Sequence, residues 1–154
     1  MKRALEFFSL GAMLFLSGCA TVQYGDKTTE AELKKFTPIP GKVSLYVCRE
    51  QAHLVAAGVR TVVFADNEAI GTVRPNMFVH TTLEPRKHGI LLRNDGLASG
   101  TGGFETFEGH ANDVVFYWVG VTGKGFGVLT VDHFDSTQDA MGCVIGAAYS
   151  VKAN

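Results

Sequence analysis

Residues 114–121 read VVFYWVGV and form the most apolar strand-like stretch of the chain. β-Branched and aromatic residues are typical of strands. Since successive side chains of a strand point to opposite faces, Val115 and Tyr117 lie on one face and Phe116 and Trp118 on the other. Both faces are apolar, which predicts a strand covered by a second sheet on one side and by a helix on the other. Core packing is the expected role of these rings; the alternative is an aromatic surface that receives a partner or a glycan.

Seven further stretches have a strand-like composition, and turn residues separate the stretches at intervals of about 8–12 residues. This spacing predicts a mainly β fold, an antiparallel β-sandwich, over residues 42–154. The turn Asp66-Asn67-Glu68 and the stretch EPRK at 84–87 are each expected to close a hairpin. The seven stretches are VSLYVCR (43–49), RTVVFAD (60–66), AIGTVR (69–74), MFVHTTL (77–83), HGILLR (88–93), FETF (104–107) and FGVLTVDHF (126–134).

The end of the chain changes from a strand period to a helix period. Ser136 is a candidate N-cap with Asp139 three residues later, and apolar residues between 140 and 148 lie on one helical face. These features predict one short C-terminal helix from about Thr137 to Ser150. The length of 154 residues fits one domain.

Residues 1–18 have the layout of a lipoprotein signal peptide that is cleaved. A basic start is followed by an apolar run, Phe7–Leu16. Ten helical residues span about 15 Å, half of a ~30 Å hydrocarbon core, which argues against a permanent transmembrane helix. An ordinary cleaved leader that happens to contain a cysteine is the alternative reading.

The four residues Leu16-Ser17-Gly18-Cys19 resemble a bacterial lipobox. The resemblance implies that the Cys19 sulfur receives a diacylglycerol, that cleavage occurs before Cys19, and that the new amino group is acylated. Ala20 follows the cysteine, where aspartate would suggest retention at the inner membrane. The resemblance therefore implies an outer-membrane lipoprotein facing the periplasm, with the periplasmic leaflet of the inner membrane as the alternative. Each buried acyl CH₂ contributes about 0.8 kcal/mol to membrane binding.

Residues 19–41 are interpreted as the lipidated N-terminus and a tether. Within them, Thr29 with Glu32 three residues later fits the start of one or two helical turns. Pro38 and Pro40 are expected to end these turns and lead into the domain.

The stretches PIPGKVSLYVCRE, VVFADNEAIGTV and MFVHTTLEPRKHGI resemble small lipoproteins of the domain-of-unknown-function 2846 type. The resemblance covers about residues 38–134. It departs from the family at residues 84–88, where the family has a Pro-Gly-Lys-His turn, and at Cys48, where the family has an aromatic residue. It implies an envelope lipoprotein with a compact β-sandwich and no assigned enzymatic activity.

The charge pattern narrows the classes of partner. The formal net charge is −1, and 46% of residues are hydrophobic against 19% charged. This composition is typical of a packed domain and argues against a disordered chain or a nucleic-acid binder. Without the leader the net charge is −2, so the lipid rather than basic residues is expected to hold the protein on the membrane.

Cys48 and Cys143 are the two thiols that remain once Cys19 is lipidated. A pair of cysteines in an exported protein can form a disulfide, which here would join the first strand to the terminal helix. The alternative is that both are small buried apolar residues.

The five histidines, at positions 53, 80, 88, 110 and 133, include no HExxH or HxH pair. Asp132, His133 and Asp135 offer metal ligands at a strand end, but Asp132 and His133 point to opposite faces. The histidines are therefore expected to be structural or solvated, and no metal site is expected.

The sequence carries no complete motif for nucleotide binding or nucleophilic catalysis. Gly120–Gly125 has no Ser or Thr after Lys124, and Gly96–Gly103 contains no lysine, so both are interpreted as turns. Ser99 lies in no GxSxG elbow. Two further candidates for catalysis are Cys48 with His53, and Arg49-Glu50 with His53. No cofactor and no enzymatic activity are expected.

Three functions follow from these features. The leading hypothesis is a non-enzymatic envelope lipoprotein that mediates protein–protein or structural interactions. The second is a periplasmic binding module for a small molecule or a peptidoglycan fragment, and the third is a hydrolase. A dry core with an exposed apolar patch favours the first, a polar cavity beside the terminal helix favours the second, and converging His, Asp and Glu side chains favour the third.

Overall fold

The computed structural model describes residues 22–51, 58–95, 101–122 and 128–153. These residues form ten strands and two helices. In chain order the elements are β1 (Gln23–Tyr24), α1 (Lys27–Leu33), β2 (Val43–Arg49), β3 (Arg60–Ala65), β4 (Glu68–Val73), β5 (Met77–Leu83), β6 (Lys87–Asp95), β7 (Thr101–Glu108), β8 (Val114–Thr122), β9 (Val128–His133), α2 (Thr137–Gly146) and β10 (Ala148–Val151).

The strands form two sheets packed face to face, which confirms the predicted β-sandwich with a short C-terminal helix. The six-stranded sheet has the order β1-β10-β5-β2-β8-β9, and the four-stranded sheet has the order β4-β3-β6-β7. Most pairs are antiparallel, but β2 runs parallel to β8 and β5 runs parallel to β10. After β2 the chain enters the four-stranded sheet, and β8 later returns beside β2. Strand composition alone does not predict whether these two strands run parallel or antiparallel.

The core between the sheets is apolar. Strand β2 is buried along its whole length because it lies in the middle of its sheet, with the second sheet on one side and the helices on the other. On β8, Tyr117 and Val119 belong to this core, and Phe116 packs on the opposite face toward α2, as the alternation in VVFYWVGV predicts. The fully buried aliphatic residues of the core are Val43, Leu45, Val47, Val63, Val73, Val79, Ile90 and Leu92.

An aromatic cluster fills the space between the six-stranded sheet and its helical cover. The Tyr46 ring lies 5.2 Å from Phe116 and 5.5 Å from Phe36, measured between ring centroids. The Tyr46 hydroxyl donates a 2.8 Å hydrogen bond to the Leu33 carbonyl at the end of α1. Cys48, Phe78, Val144 and Ala147 complete this second core. The space beside α2 is therefore occupied by side chains.

Two predicted connections have different outcomes. The turn at Asp66-Asn67 closes the β3–β4 hairpin, with φ of 48° and 68° at its two residues, as this turn type requires. The hairpin predicted around residues 84–87 is wrong, because β5 belongs to the six-stranded sheet and β6 to the four-stranded sheet. This connection crosses from one sheet to the other.

The C-terminal helix is shorter than predicted. It ends at Gly146, and residues 148–151 form a strand in place of the expected last helical turn. Ala148 and Tyr149 pair in parallel with Met77 and Phe78 of β5. The strand is stabilised by this long-range pairing, which local periodicity does not reveal.

Part of the segment interpreted as a tether is packed on the domain. Gln23 and Tyr24 pair with Val151 and Ser150 of β10. Helix α1 begins after Asp26, whose carboxylate accepts hydrogen bonds from the Thr28 and Thr29 amides, so Asp26 rather than Thr29 is the N-cap. The sandwich therefore includes residues N-terminal to position 42.

Glu30 attaches α1 to the C-terminal part of the chain. Its carboxylate accepts hydrogen bonds from Lys27 at 2.9 Å, from Lys34 at 2.8 Å and from the Tyr149 amide at 3.2 Å. The Lys34 ammonium also donates to the Ala147 carbonyl at 2.7 Å. The bond from Lys34 is the main reason that the pKa of Glu30 is lowered from 4.5 to about 2.

We expect Glu30→Gln to lower the free energy of unfolding by about 2 kcal/mol near neutral pH, because it removes a nearly buried carboxylate from its charged partner. The lowered pKa means that this stabilisation is present above pH 4.5 and is lost as the pH falls toward 2. Urea unfolding of the variant and the wild-type protein near neutral pH and near pH 2 measures this loss and its pH dependence. The control is Glu32→Gln on the same helix, whose exposed pair with Lys35 is worth at most about 0.5 kcal/mol. Equal losses in the two variants would contradict the prediction.

Candidate interaction surface

Several residues singled out from the sequence lie outside the described part of the chain. These are Cys19, His53, Ser99 and Lys124. The histidine partner of both cysteine-based and arginine-based catalytic candidates is among them. The remaining candidates can be placed.

Cys48 and Cys143 form a disulfide with their Cα atoms 6.3 Å apart. It joins the central strand β2 to helix α2 across 95 positions of sequence. Cys48 is fully buried in the aromatic cluster. A disulfide-bonded sulfur carries no thiolate, so Cys48 in this state is not a nucleophile.

Arg49 and Glu50 are adjacent in sequence but have different environments. Arg49 is 1% exposed and donates from its guanidinium to the Val59 carbonyl at 2.7 Å. Burial lowers the pKa of Arg49. Glu50 is exposed to solvent. The structure therefore does not bring these two side chains together as a catalytic pair.

Among the described residues, His88 and Asp66 form the most buried ion pair that includes a histidine. His88 Nδ1 lies 2.7 Å from the Asp66 carboxylate, and His88 Nε2 lies 2.6 Å from the Glu84 carbonyl. Asp66 also accepts hydrogen bonds from the Gly89 amide at 3.0 Å and from Arg86 at 2.7 Å. Both ring nitrogens of His88 are occupied by the protein, so neither faces a substrate. These contacts hold the connection between the two sheets against the turn between β3 and β4. We call this group, Asp66 with Arg86, His88 and Gly89, the crossover lock.

The other placed histidines are dispersed. His80 packs beside Tyr46 with ring centroids 4.6 Å apart and the rings tilted by 52°. Burial lowers the pKa of His80 from 6.5 to about 4. His110 is exposed and pairs with Asp113. His133 Nε2 lies 2.8 Å from the hydroxyl of Tyr117, whose pKa is raised by burial. Within residues 22–51, 58–95, 101–122 and 128–153, no group of three or more His, Cys, Asp or Glu side chains could hold a metal ion.

The solvent face of the four-stranded sheet carries an apolar row. Phe64, Leu91 and Phe104 are in register across β3, β6 and β7. Phe104 is 65% exposed. Its ring lies over Gly89, where a ring carbon is 3.3 Å from the position that a Cβ would occupy. We call Phe64, Leu91 and Phe104 the phenylalanine row.

A charged group borders the row. The guanidinium carbon of Arg93 lies 4.8 Å from the centroid of the Phe64 ring, a cation–π geometry. Aromatic residues and arginine are enriched in the centres of protein interfaces. The phenylalanine row with Arg93 therefore contains the residue types that are enriched there.

The row ends at an edge where the two sheets meet. Strand β7 is the outer strand of its sheet and β9 is the outer strand of the other. The backbones approach closely at Gly103, where an added Cβ would lie 2.5 Å from the Val131 amide nitrogen. Val128 at the start of β9 is 64% exposed. Exposed apolar side chains are thus present on both strands of this edge.

Sequence reasoning did not identify Phe104. In the stretch FETF at 104–107 the two phenylalanines are three positions apart, so they point to opposite faces of the strand. Phe107 is buried in the core, which leaves Phe104 on the solvent side. The odd spacing of the two rings was the available signal.

Comparison of the chain with protein-family models, curated proteins and solved structures finds no match. Among the described residues, no helix is long and apolar enough to cross a membrane.

Proposed function

We propose that this protein is a lipid-anchored lipoprotein of the bacterial envelope, held on the periplasmic face of the outer membrane, whose β-sandwich is a non-enzymatic protein-interaction module. The anchor is the acylated Cys19. The interaction surface is the phenylalanine row. The partner is another envelope protein.

The observation that carries the interaction function is the exposure of Phe104 on a face that also holds Phe64, Leu91 and Arg93. Leaving a ring 65% exposed forgoes the stabilisation that burial of an aromatic side chain gives. A partner that covers the ring recovers this free energy. Side chains fill the space beside α2, where a ligand cavity would lie. This filling supports an interaction module over a ligand-binding module.

The lipobox and the disulfide support the location. The residues LSGC follow an apolar leader at 16–19. The Cys48–Cys143 disulfide is of the kind that forms in oxidising compartments such as the periplasm. The outer membrane is favoured over the inner membrane because Ala20, rather than aspartate, follows the cysteine.

We expect Phe104→Glu to weaken partner binding roughly tenfold, since losing an aromatic anchor at the centre of an interface costs more than about 1 kcal/mol. The measurement is chemical crosslinking in envelope membranes followed by purification of the protein with its crosslinked species. The control is Ile145→Glu, which places the same charge at an apolar residue, 57% exposed, on α2.

The proposal requires that the yield of the crosslinked species falls in Phe104→Glu and stays at the wild-type level in Ile145→Glu. A Cys19→Ser variant separates the anchor from the interaction surface. If Cys19→Ser remains in the membrane fraction to the same extent as the wild-type protein, the proposed anchor is wrong. If Phe104→Glu and Ile145→Glu retain the crosslinked species equally, the proposed interaction surface is wrong.

A further inference from the structure

We propose that the β1 edge of the six-stranded sheet lies against the phospholipid bilayer, with the Tyr24 ring in the headgroup layer. The inference rests on the proposed acylation of Cys19 and adds to it the orientation of the domain. It assigns the β1 edge to lipid and leaves the exposed end of the phenylalanine row, at Phe104 near the opposite edge, to protein partners.

The chain is attached to the sandwich from Gln23 onward. Gln23 and Tyr24 pair with Val151 and Ser150, and the Gly25 amide donates to the Tyr149 carbonyl at 3.0 Å. An added Cβ on Gly25 would lie 2.1 Å from a carbon of the Tyr149 ring, so the backbone of this segment runs directly over that side chain. The α1 segment that follows is bound through Glu30 and Lys34. The position of Gln23 therefore limits how far this edge of the domain can lie from the membrane.

The distance from the lipid to Gln23 is short. Cys19 precedes Gln23 by four residues, and a fully extended chain spans at most about 3.6 Å per residue, so the Cα atoms are at most ~14 Å apart. Acyl chains on Cys19 hold that residue at the inner boundary of the headgroup layer, which is about 6 Å thick. Gln23 then lies no more than about 8 Å outside the layer.

Tyr24 is suited to this position. It is 65% exposed on the outermost strand of its sheet. Tyrosine is enriched at membrane–water interfaces because its ring is apolar and its hydroxyl is polar. Nearby exposed charges balance, with Lys27 and Lys152 against Asp26 and Glu68. The edge therefore has no net attraction to anionic lipid, and its contact with the bilayer depends on the acyl anchor.

The opposite edge is far from the membrane in this orientation. Strand β9 is five strand spacings from β1, which is about 24 Å at ~4.8 Å per spacing. Val128 lies on β9, and Phe104 lies on β7 beside it. Both exposed apolar residues then point into the periplasm, where a protein partner can reach them.

Fluorescence quenching tests the orientation. The full chain, processed in cells and purified from membranes, is reconstituted into phosphatidylcholine vesicles that contain a lipid with a nitroxide on its headgroup. Trp118, the only tryptophan, is replaced by phenylalanine in every protein. A single probe is then placed by Tyr24→Trp, Val128→Trp or Phe104→Trp, each at an exposed position. Mass spectrometry reports the acylation of Cys19 independently of fluorescence.

We expect strong quenching of the tryptophan at position 24. The tryptophan at position 128 or 104, in the other two variants, should be quenched little. If the acylated protein binds vesicles but position 24 is quenched no more than position 128, the orientation is wrong while the anchor stands. Equal quenching at positions 24 and 104 would mean that the sheet face lies on the bilayer, which also overturns the proposal. A protein whose mass shows no acyl groups would overturn the anchor and this inference together.

Discussion

Reduction of the Cys48–Cys143 disulfide is expected to lower the free energy of unfolding by about 4–5 kcal/mol, because the bond closes a long loop that contains most of the domain. The two cysteines are 95 positions apart. On the chain-entropy model, the cost of closing a loop in the unfolded chain rises with its length. For a domain of this size the loss corresponds to a fall in melting temperature of roughly 15 °C.

Thermal unfolding of the wild-type protein with and without a phosphine reductant measures the effect. The comparison changes no side-chain volume, whereas Cys48→Ala would also leave a cavity in the aromatic cluster. The double variant Cys48→Ala/Cys143→Ala is the control, and its melting temperature should not respond to the reductant. A wild-type melting temperature that also does not respond would contradict the prediction.

Most strands could be predicted from the sequence because their signal is local. Alternation in VVFYWVGV predicts the two buried faces of β8, and the Asp66-Asn67 turn predicts the β3–β4 hairpin. The partners of each strand depend on residues far away in sequence. Residues 84–87 have the length of a hairpin turn but connect two different sheets, because β5 pairs with β2 rather than with β6.

The N-terminal segment shows the same limit for polar contacts. Thr29 with Glu32 predicts one or two helical turns in this segment, but the attachment of the helix through Glu30 and Lys34 to Tyr149 and Ala147 spans more than a hundred residues. Phe104 is a comparable case on the candidate surface. Its spacing from Phe107 indicates that one of the two rings faces solvent, but which ring does so depends on how β7 packs against β6 and β9.

Disruption of the crossover lock is expected to have the second-largest effect on stability. Asp66→Ala should lower the free energy of unfolding by about 3–4 kcal/mol, because it leaves the buried His88 ring without its carboxylate and places alanine at positive φ. The His88 side chain is 1% exposed. Asp66→Asn keeps the shape and tolerates the backbone angle, so it should lose only about 2 kcal/mol, the contribution of hydrogen bonds to a charged group.

The control for this pair is Asp113→Asn, which changes another Asp–His side-chain pair of the described residues, the one with His110. That pair is on the surface, with the His110 side chain 76% exposed. An exposed ion pair is worth at most about 1 kcal/mol, so its loss should be clearly smaller. Urea unfolding of the three variants beside the wild-type protein makes the comparison. If Asp66→Ala and Asp113→Asn cost the same, the crossover lock does not stabilise the fold.

The pH dependence separates the charge of Asp66 from its shape. Burial by itself would raise the pKa of Asp66, but the Gly89 amide, His88 and Arg86 outweigh burial and hold the pKa below its ordinary value of 3.8. A lowered pKa in the folded state means that the carboxylate stabilises the fold above pH 3.8 and loses this effect as the pH falls through the folded pKa. The difference in unfolding free energy between the wild-type protein and Asp66→Asn should therefore be constant near neutral pH. It should shrink as the pH falls below 3.8. A difference that does not shrink in acid would assign the stabilisation to the shape of the turn rather than to the charge of the Asp66 carboxylate.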